Sequence, residues 1–269
     1  IVVDATGPAA PLAKKLDVCN LERKNQAVGI EWEMEGVDVD HPDYADLTDA
    51  MMLRLDHEYA PGGYSWVFHT GGDTAKVGVC YIQSESYQQY GDTSKSIDGH
   101  LDHWLETDPR FADAQRLGDK QQHRGSAHIQ MPDDLSTDSF LAIGDTVPTI
   151  DPLWGEGIHK CMESARVAAI TADRCLMGSE TDTSADAMSI YDDLWHARVA
   201  PDMRTRLTMT QLLYLAPNER YDRLMDDLNA MDVDTLSDAN DGSIRSLAKL
   251  THLDDLPLLA RFAKQRLAE

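Results

Sequence analysis

Phe140-Leu141-Ala142-Ile143-Gly144-Asp145 is an apolar run that ends in a glycine and a carboxylate, and Pro148, Pro152 and Gly155-Glu156-Gly157 follow it. The run reads as a buried strand that delivers Asp145 at its closing turn. The Gly-x-Gly beyond it lets backbone amides at a helix start approach a ligand closely. A Gly-Asp pair alone does no more than close a strand. The ordered set of strand, Gly-Asp, two prolines, Gly-x-Gly and helix suits a cofactor carrying hydroxyls and negative charge. In that helix Ile158, Cys161, Ala165, Ala168, Ala169 and Ala172 recur at helical spacing and are expected on one packed side. Such a side would hold the helix start, with roughly half a positive charge, rigidly against the ligand.

The rest of the composition narrows the field. In 269 residues there are 47 Asp plus Glu against 24 Lys plus Arg, a formal net charge of -23. That length can hold one large or two smaller domains. The acidity excludes nucleic acid as a partner, and its dispersion along a well-patterned chain reads as the solvated surface of a salt-loving host's protein. Cys19, Cys80, Cys161 and Cys175 form no C-x-x-C pair, so no metal site is expected. No stretch approaches the roughly 20 apolar residues of a membrane span, so any membrane contact would be peripheral. The chain opens on Ile1-Val2-Val3-Asp4-Ala5-Thr6-Gly7, an apolar run that meets a turn, without an initiator Met. It is therefore expected to be a C-terminal fragment.

Along the chain, residues 1–6 read as a strand and 8–16 as a turn with a short helix. Residues 26–35 alternate apolar and polar, as a half-buried strand does, and 51–55 repeat the pattern. Residues 64–69 and 76–82 are two further strands, and Gly71-Gly72-Asp73 supplies the hairpin turn. Residues 94–106 read as a helix closed by Asp108-Pro109, and 121–131 as a returning strand. From Ala185 the pattern is helical to the end. There Leu212-Leu213-Tyr214-Leu215 and Leu256-Pro257-Leu258-Leu259 are expected to be helix core.

The 140–158 segment resembles the second FAD signature of the para-hydroxybenzoate-hydroxylase-like flavoproteins. The resemblance implies FAD as cofactor, with Asp145 on the ribityl chain and the helix start at the flavin pyrimidine. Gly144, Pro152, Gly155, Gly157 and Ile158 are the accompanying contacts. Asp4-Ala5-Thr6-Gly7 resembles the other strand-end motif of that class and adds Ala5, Thr6 and Gly7 to the cofactor set. In the fuller form of that motif an Asp, a Ser and an Arg stand where this chain has Thr6, Ala10 and Ala13.

Tyr64-Ser65-Trp66-Val67-Phe68-His69, with Val77-Gly78-Val79-Cys80 on its partner strand, puts Tyr64, Trp66 and Phe68 on one sheet face. The pair resembles the motifs of the geranylgeranyl reductase family, with His69 in place of a usual Pro and Cys80 in place of a second Gly. The resemblance implies an oxidoreductase that saturates polyprenyl chains, such as those of archaeal ether lipids. Tyr64, Trp66, Phe68 and Gly78 would meet the substrate, and Tyr64 would be the candidate proton donor. His69, His128 and His159 show no spacing signal and are expected to be structural. NAD(P)H or ferredoxin would be the electron donor, and the location would be cytoplasmic or peripheral at the membrane.

The implied fold class is α/β with an α+β insertion. An incomplete FAD/NAD(P)-binding Rossmann-like domain would comprise 1–20 and 132–180. An antiparallel β-sheet substrate domain would span 21–131, and a C-terminal helical region 181–269. No Gly-x-Gly-x-x-Gly unit for the pyrophosphate is found, so the fragment alone should bind FAD weakly or not at all and be inactive. Two alternatives stay open: a flavin monooxygenase or quinone-linked dehydrogenase of the same fold, and a flavin-free binding protein that kept it.

Overall fold

The computed structural model describes residues 1–118, 122–178 and 180–268. The chain divides into two units, one of Ile1–Gln26 with Ala127–Gln211 and one of Ala27–Ser126 with Leu212–Glu269.

In the first unit β1 (Val2–Asp4) runs parallel to β9 (Phe140–Ala142), in the register Val2 with Phe140 through Asp4 with Ala142. On its other side β9 pairs antiparallel with β8 (Ser136–Thr137). The run that reads as a buried strand is one: Phe140, Leu141 and Ala142 are all buried. They join a core with Leu135, Met188, Tyr191 and Trp195. Around it lie α1 (Pro11–Lys15), α4 (Ile158–Met177), α5 (Ala185–Met188), α6 (Ile190–Arg198) and the first part of α7 (Met203–Leu215). The Tyr191 hydroxyl, buried in that core, donates to Ala142 O at 2.9 Å and sits 2.9 Å from Ser164 Oγ, tying α6 and α4 to β9.

The packed side of α4 is not the one its small residues suggest. Lys160, Ser164, Val167, Ala168, Thr171 and Cys175 are buried, whereas Ile158 is 82% exposed and Ala165 and Ala169 face solvent. Alanine costs little on either side of a helix, so an alanine stripe does not orient one. The buried polar members each have a partner: Ser164 in Tyr191, Thr171 in Val167 O at 3.0 Å, and Lys160 in Asp151 at 3.4 Å.

The second unit is built on an antiparallel sheet in the order β3-β4-β5-β2-β6, with β7 also paired to β2. Its strands are β2 (Gln26–Glu35), β3 (Met51–Arg54), β4 (Gly63–Gly71), β5 (Thr74–Ile82), β6 (Gln115–Arg116) and β7 (His123–His128). The expected strand at 121–131 is thus shorter, and Gln121 lies outside the described residues. Alternation sets the two faces. Ile30, Met34, Val67, Val77 and Val79 turn into a core with Leu101 and Trp104 of α3 (Ile97–Thr107). That helix starts at Ser96, whose side chain accepts from Gly99 N at 3.2 Å, and ends at Asp108.

The remaining helices are α2 (Glu85–Gln88), α8 (Asn218–Asn229), α9 (Val233–Asn240), α10 (Ile244–Ala248) and α11 (Leu256–Ala268). The helical remainder is not one region: residues up to 211 go with the first unit and 212–269 with the second. Tyr214 and Leu215 are core as expected, but Leu256 is 62% exposed and Leu259 37%, so the second leucine run is a surface feature. A proline at the second position of α11 places that run in an N-terminal turn, where burial is not required. Among the described residues no helix is long and apolar enough to cross a membrane, and no cluster of His, Cys, Asp or Glu could hold a metal.

Candidate functional site

The two strand-end motifs of the first unit meet. Because β1 and β9 are parallel neighbours, the turns after Asp4 and after Ala142 lie side by side at the carboxyl ends of their strands, where open α/β sheets bind ligands. Ile143 N donates to Asp4 O at 2.9 Å, and Gly7 N donates to Thr146 Oγ1 at 3.1 Å. Asp4, which sequence reasoning passed over, organises the first turn. Its buried carboxylate accepts from Thr6 N (3.0 Å), Thr6 Oγ1 (2.6 Å) and Ala13 N (3.0 Å). Burial pushes its acidity toward the neutral form, but these hydrogen bonds outweigh burial and hold the carboxyl below the ordinary range. Ala5 and Thr6 are exposed, and the space over Gly7, at φ +76, is open. Ala10 and Ala13 are wholly buried packing positions.

In the second turn Gly144 takes φ +58, which favours glycine. Its N–H donates to Ser164 Oγ at 3.1 Å and its carbonyl accepts from Thr149 Oγ1 at 2.7 Å. Asp145 is half-buried and takes one long contact from the Cys161 thiol, 3.5 Å to Oδ1. Burial, reinforced by the Asp145 charge, raises that thiol to about 11, so it stays protonated.

A second carboxylate, Asp151, closes the loop between this turn and α4. Its Oδ1 accepts from Leu153 N (2.9 Å) and Trp154 N (3.3 Å), its carbonyl from Gly155 N (2.9 Å), and its own N–H donates to Glu156 O (2.7 Å). Oδ2 lies 3.4 Å from Lys160 Nζ and 3.7 Å from Arg206 Nε, all three side chains being buried. Pro152 is buried, while Gly155, at φ +70, is exposed. Gly157 is the N-cap of α4 and has no side chain with which to cap it, and Ile158 beside it is open to solvent. The first-turn N–H groups of this 20-residue helix have no partner within the helix, as at any helix start.

In the second unit Tyr64, Trp66 and Phe68 share the sheet face opposite α3. The Tyr64 and Trp66 rings are 5.8 Å apart and tilted, and Trp66 and Phe68 are 6.1 Å apart and near parallel. Gly78 lies directly beneath the indole, since a Cβ there would fall 2.2 Å from Trp66 Cζ2. Tyr64 hydrogen-bonds Cys80, whose thiol burial raises to about 11. Tyr214, buried beside Tyr64 and Cys80, has its hydroxyl pushed well up by burial. His69 is held by Thr48 O (2.7 Å) and Gly72 O (2.9 Å), and His159 is exposed. His128 is buried, and its Nδ1 has no partner among the described residues. His57 was not singled out by any spacing. It accepts from Gly62 N at 3.2 Å, so its proton sits on Nε2, 2.7 Å from Ala216 O.

The family model of the geranylgeranyl reductase catalytic domain matches residues 27–116, the segment that carries this aromatic face. Along 98% of its length the chain is 61% identical to a digeranylgeranylglycerophospholipid reductase of Haloferax volcanii, and it covers 64% of that relative. It is 28% identical over 86% of its length to a digeranylgeranylglycerophospholipid reductase 2 of Methanopyrus kandleri, covering 53% of it. The chain thus spans about half to two thirds of the length of these curated relatives. Among solved structures it resembles a geranylgeranyl bacteriochlorophyll reductase-like protein from Thermoplasma acidophilum at a TM-score of 0.75 and 21% identity, covering 98% of this chain and 61% of that one. A flavin-dependent brominase superposes at a TM-score of 0.59 and 18% identity, over 100% of this chain and 62% of the other. These two likenesses extend the shared fold beyond the segment that the family model matches. The sequence identity that runs almost from end to end, together with the matched segment, makes the chain similar to the geranylgeranyl reductases.

Proposed function

We propose that the protein is an FAD-dependent reductase that saturates C=C bonds of geranylgeranyl chains in archaeal ether-lipid precursors. It would act in the cytoplasm or peripherally at the membrane and draw electrons from NAD(P)H or ferredoxin. The observation that carries the reading is the joining of the Thr6–Gly7 and Gly144–Thr146 turns through the Gly7 to Thr146 hydrogen bond at the ends of two parallel strands. The identity to a reductase of that name supports the substrate class.

The residues present fit a flavin. Asp145 keeps acceptor capacity for ribityl hydroxyls, and the uncapped N–H groups of α4 suit the electron-rich pyrimidine edge. Ala5, Thr6, Gly7, Gly144, Pro152, Gly155, Gly157 and Ile158 would surround the same group. When bound, the flavin supplies the hydride for one alkene carbon. The chain's own residues would do the rest. Asp4 and Asp151 keep the two loops in shape, and the Tyr64, Trp66 and Phe68 face shelters an apolar chain from water and aligns it. Tyr64 Oη, hydrogen-bonded to Cys80, would hold the proton that the second alkene carbon takes.

The test is to incubate flavin-loaded protein with a geranylgeranyl ether lipid and dithionite and to weigh the product. Gain of hydrogen supports the reading, and incorporation of oxygen or an unchanged lipid refutes it. Purification of the full-length protein without bound flavin, and failure to reconstitute it with FAD, would refute the cofactor assignment.

A further inference from the structure

Trp66, Gly78 and Glu31 stand abreast on three neighbouring strands. Gly78 on β5 pairs with Trp66 on β4 and with Glu31 on β2. Side chains on a sheet ordinarily stand perpendicular to it. The Trp66 indole instead lies across β5, and its Nε1 donates to Glu31 Oε2, two strands away, at 2.9 Å. A Cβ at position 78 would come within 2.2 Å of Cζ2 and 2.5 Å of Cε2 of the ring, and one at Gly29 would lie 3.8 Å from Cη2. Two glycines therefore make the floor on which the ring lies. Glu31 is itself held, with Lys76 Nζ 3.6 Å from Oε1, and its side chain is only 17% exposed. A carboxylate so placed on a face of aromatic rings carries a desolvation cost, which the indole N–H and the Lys76 charge offset.

We propose that Glu31 is a positioning residue for substrate specificity. By pinning the Trp66 indole over Gly78 it holds the Tyr64, Trp66 and Phe68 rings in one continuous aromatic face on which a linear polyprenyl chain would lie. The polyprenyl part of this rests on the function proposed above, whereas the pinning does not. Released from Glu31, the ring would rise from the sheet and break that face. Glu31 would then act through Trp66 alone, without touching the lipid or the reacting atoms.

The experiment compares Glu31→Leu with Glu31→Gln in the flavin-loaded protein. Gln keeps an acceptor for the indole and Leu does not. Glu31→Leu should raise KM for the geranylgeranyl lipid roughly tenfold with kcat within about twofold, and Glu31→Gln should raise KM by no more than about twofold. In protein labelled with 5-fluorotryptophan, the resonance that disappears in Trp66→Phe should shift and broaden in Glu31→Leu but not in Glu31→Gln. Glu31→Leu in a Trp66→Phe background should add nothing further to KM, because the two changes act through one contact. Additive effects, or a Trp66 resonance unmoved by Glu31→Leu, would overturn the proposal. If wild type fails to reduce the lipid, the proposed function falls, and the fluorine resonance still decides the pinning.

Discussion

Replacing Asp4 by Ala tests whether the first cofactor turn is built by that carboxylate. Three donors converge on it: Thr6 N, Thr6 Oγ1 and Ala13 N, at 2.6 to 3.0 Å. Thr6 is exposed, so in Asp4→Ala water can replace the carboxylate for its two donors, at a cost of about 1 kcal/mol. Ala13 is fully buried, so its N–H in α1 would be left without a partner, which costs about 1–3 kcal/mol. The sum is about 3 kcal/mol. Asp4→Asn keeps the shape but turns an amide donor toward one of the N–H donors, so it should cost nearly as much. The sign with pH follows from the lowered pKa of Asp4. Its contribution is fully present above the ordinary value of 3.8 and is lost as pH falls through the lower folded value. Urea unfolding at pH 7 in molar KCl should therefore separate wild type from Asp4→Ala by about 3 kcal/mol, and the gap should close in strong acid. A gap within about 0.5 kcal/mol at pH 7, or Asp4→Asn as stable as wild type, would refute the reasoning.

Gly63→Ala would set a Cβ 1.9 Å from Cys80 O and 2.5 Å from Tyr81 Cα, both on the paired strand, so unfolding should come at least ~3 kcal/mol earlier. Gly125→Ala, with nothing within 4 Å, should stay within about 0.5 kcal/mol by the same urea titration. His57, His100 and His128 are buried, and burial lowers the pKa of each below the ordinary 6.5. The stability their neutral forms contribute is present above about pH 6.5 and lost as pH falls through the depressed values, so the melting temperature should drop in mild acid, and a flat profile from pH 7 to 5 would count against it. With a net charge of -23, raising KCl from about 0.1 M to 1 M shortens the screening length from roughly 10 Å to 3 Å, and calorimetry should show the melting temperature rising.

What the sequence made legible is what local chemistry decides. The ten residues of β2 and the two arms of the β4–β5 hairpin declare themselves by alternation, because each of those strands has one face on the core. The side of α4 that packs was not legible, since its alanines fit either side and the buried positions went to Lys160 and Ser164, whose partners lie in other segments. Asp151 did carry a local signal, an Asp-Pro ahead of Gly-x-Gly that reads as an Asx turn once its value is recognised.

Glycines and carboxylates fail to explain themselves for opposite reasons. A glycine announces that something approaches or that the backbone takes a left-handed turn, and only the fold says which. At Gly78 it is the indole of Trp66, at Gly63 the carbonyl of Cys80, and at Gly144 it is the φ of +58 itself. A buried carboxylate is tolerable only where donors converge. At Asp4 they come from two and nine residues away, and at Glu31 the indole comes from 35 away, so the sequence shows an acid with no visible reason to be there. In an already acidic chain such residues are hidden among those that merely face water. The discriminating property is therefore a low exposure paired with a donor from another strand or turn, and by that property Asp4, Asp151 and Glu31 separate from the solvated acids around them.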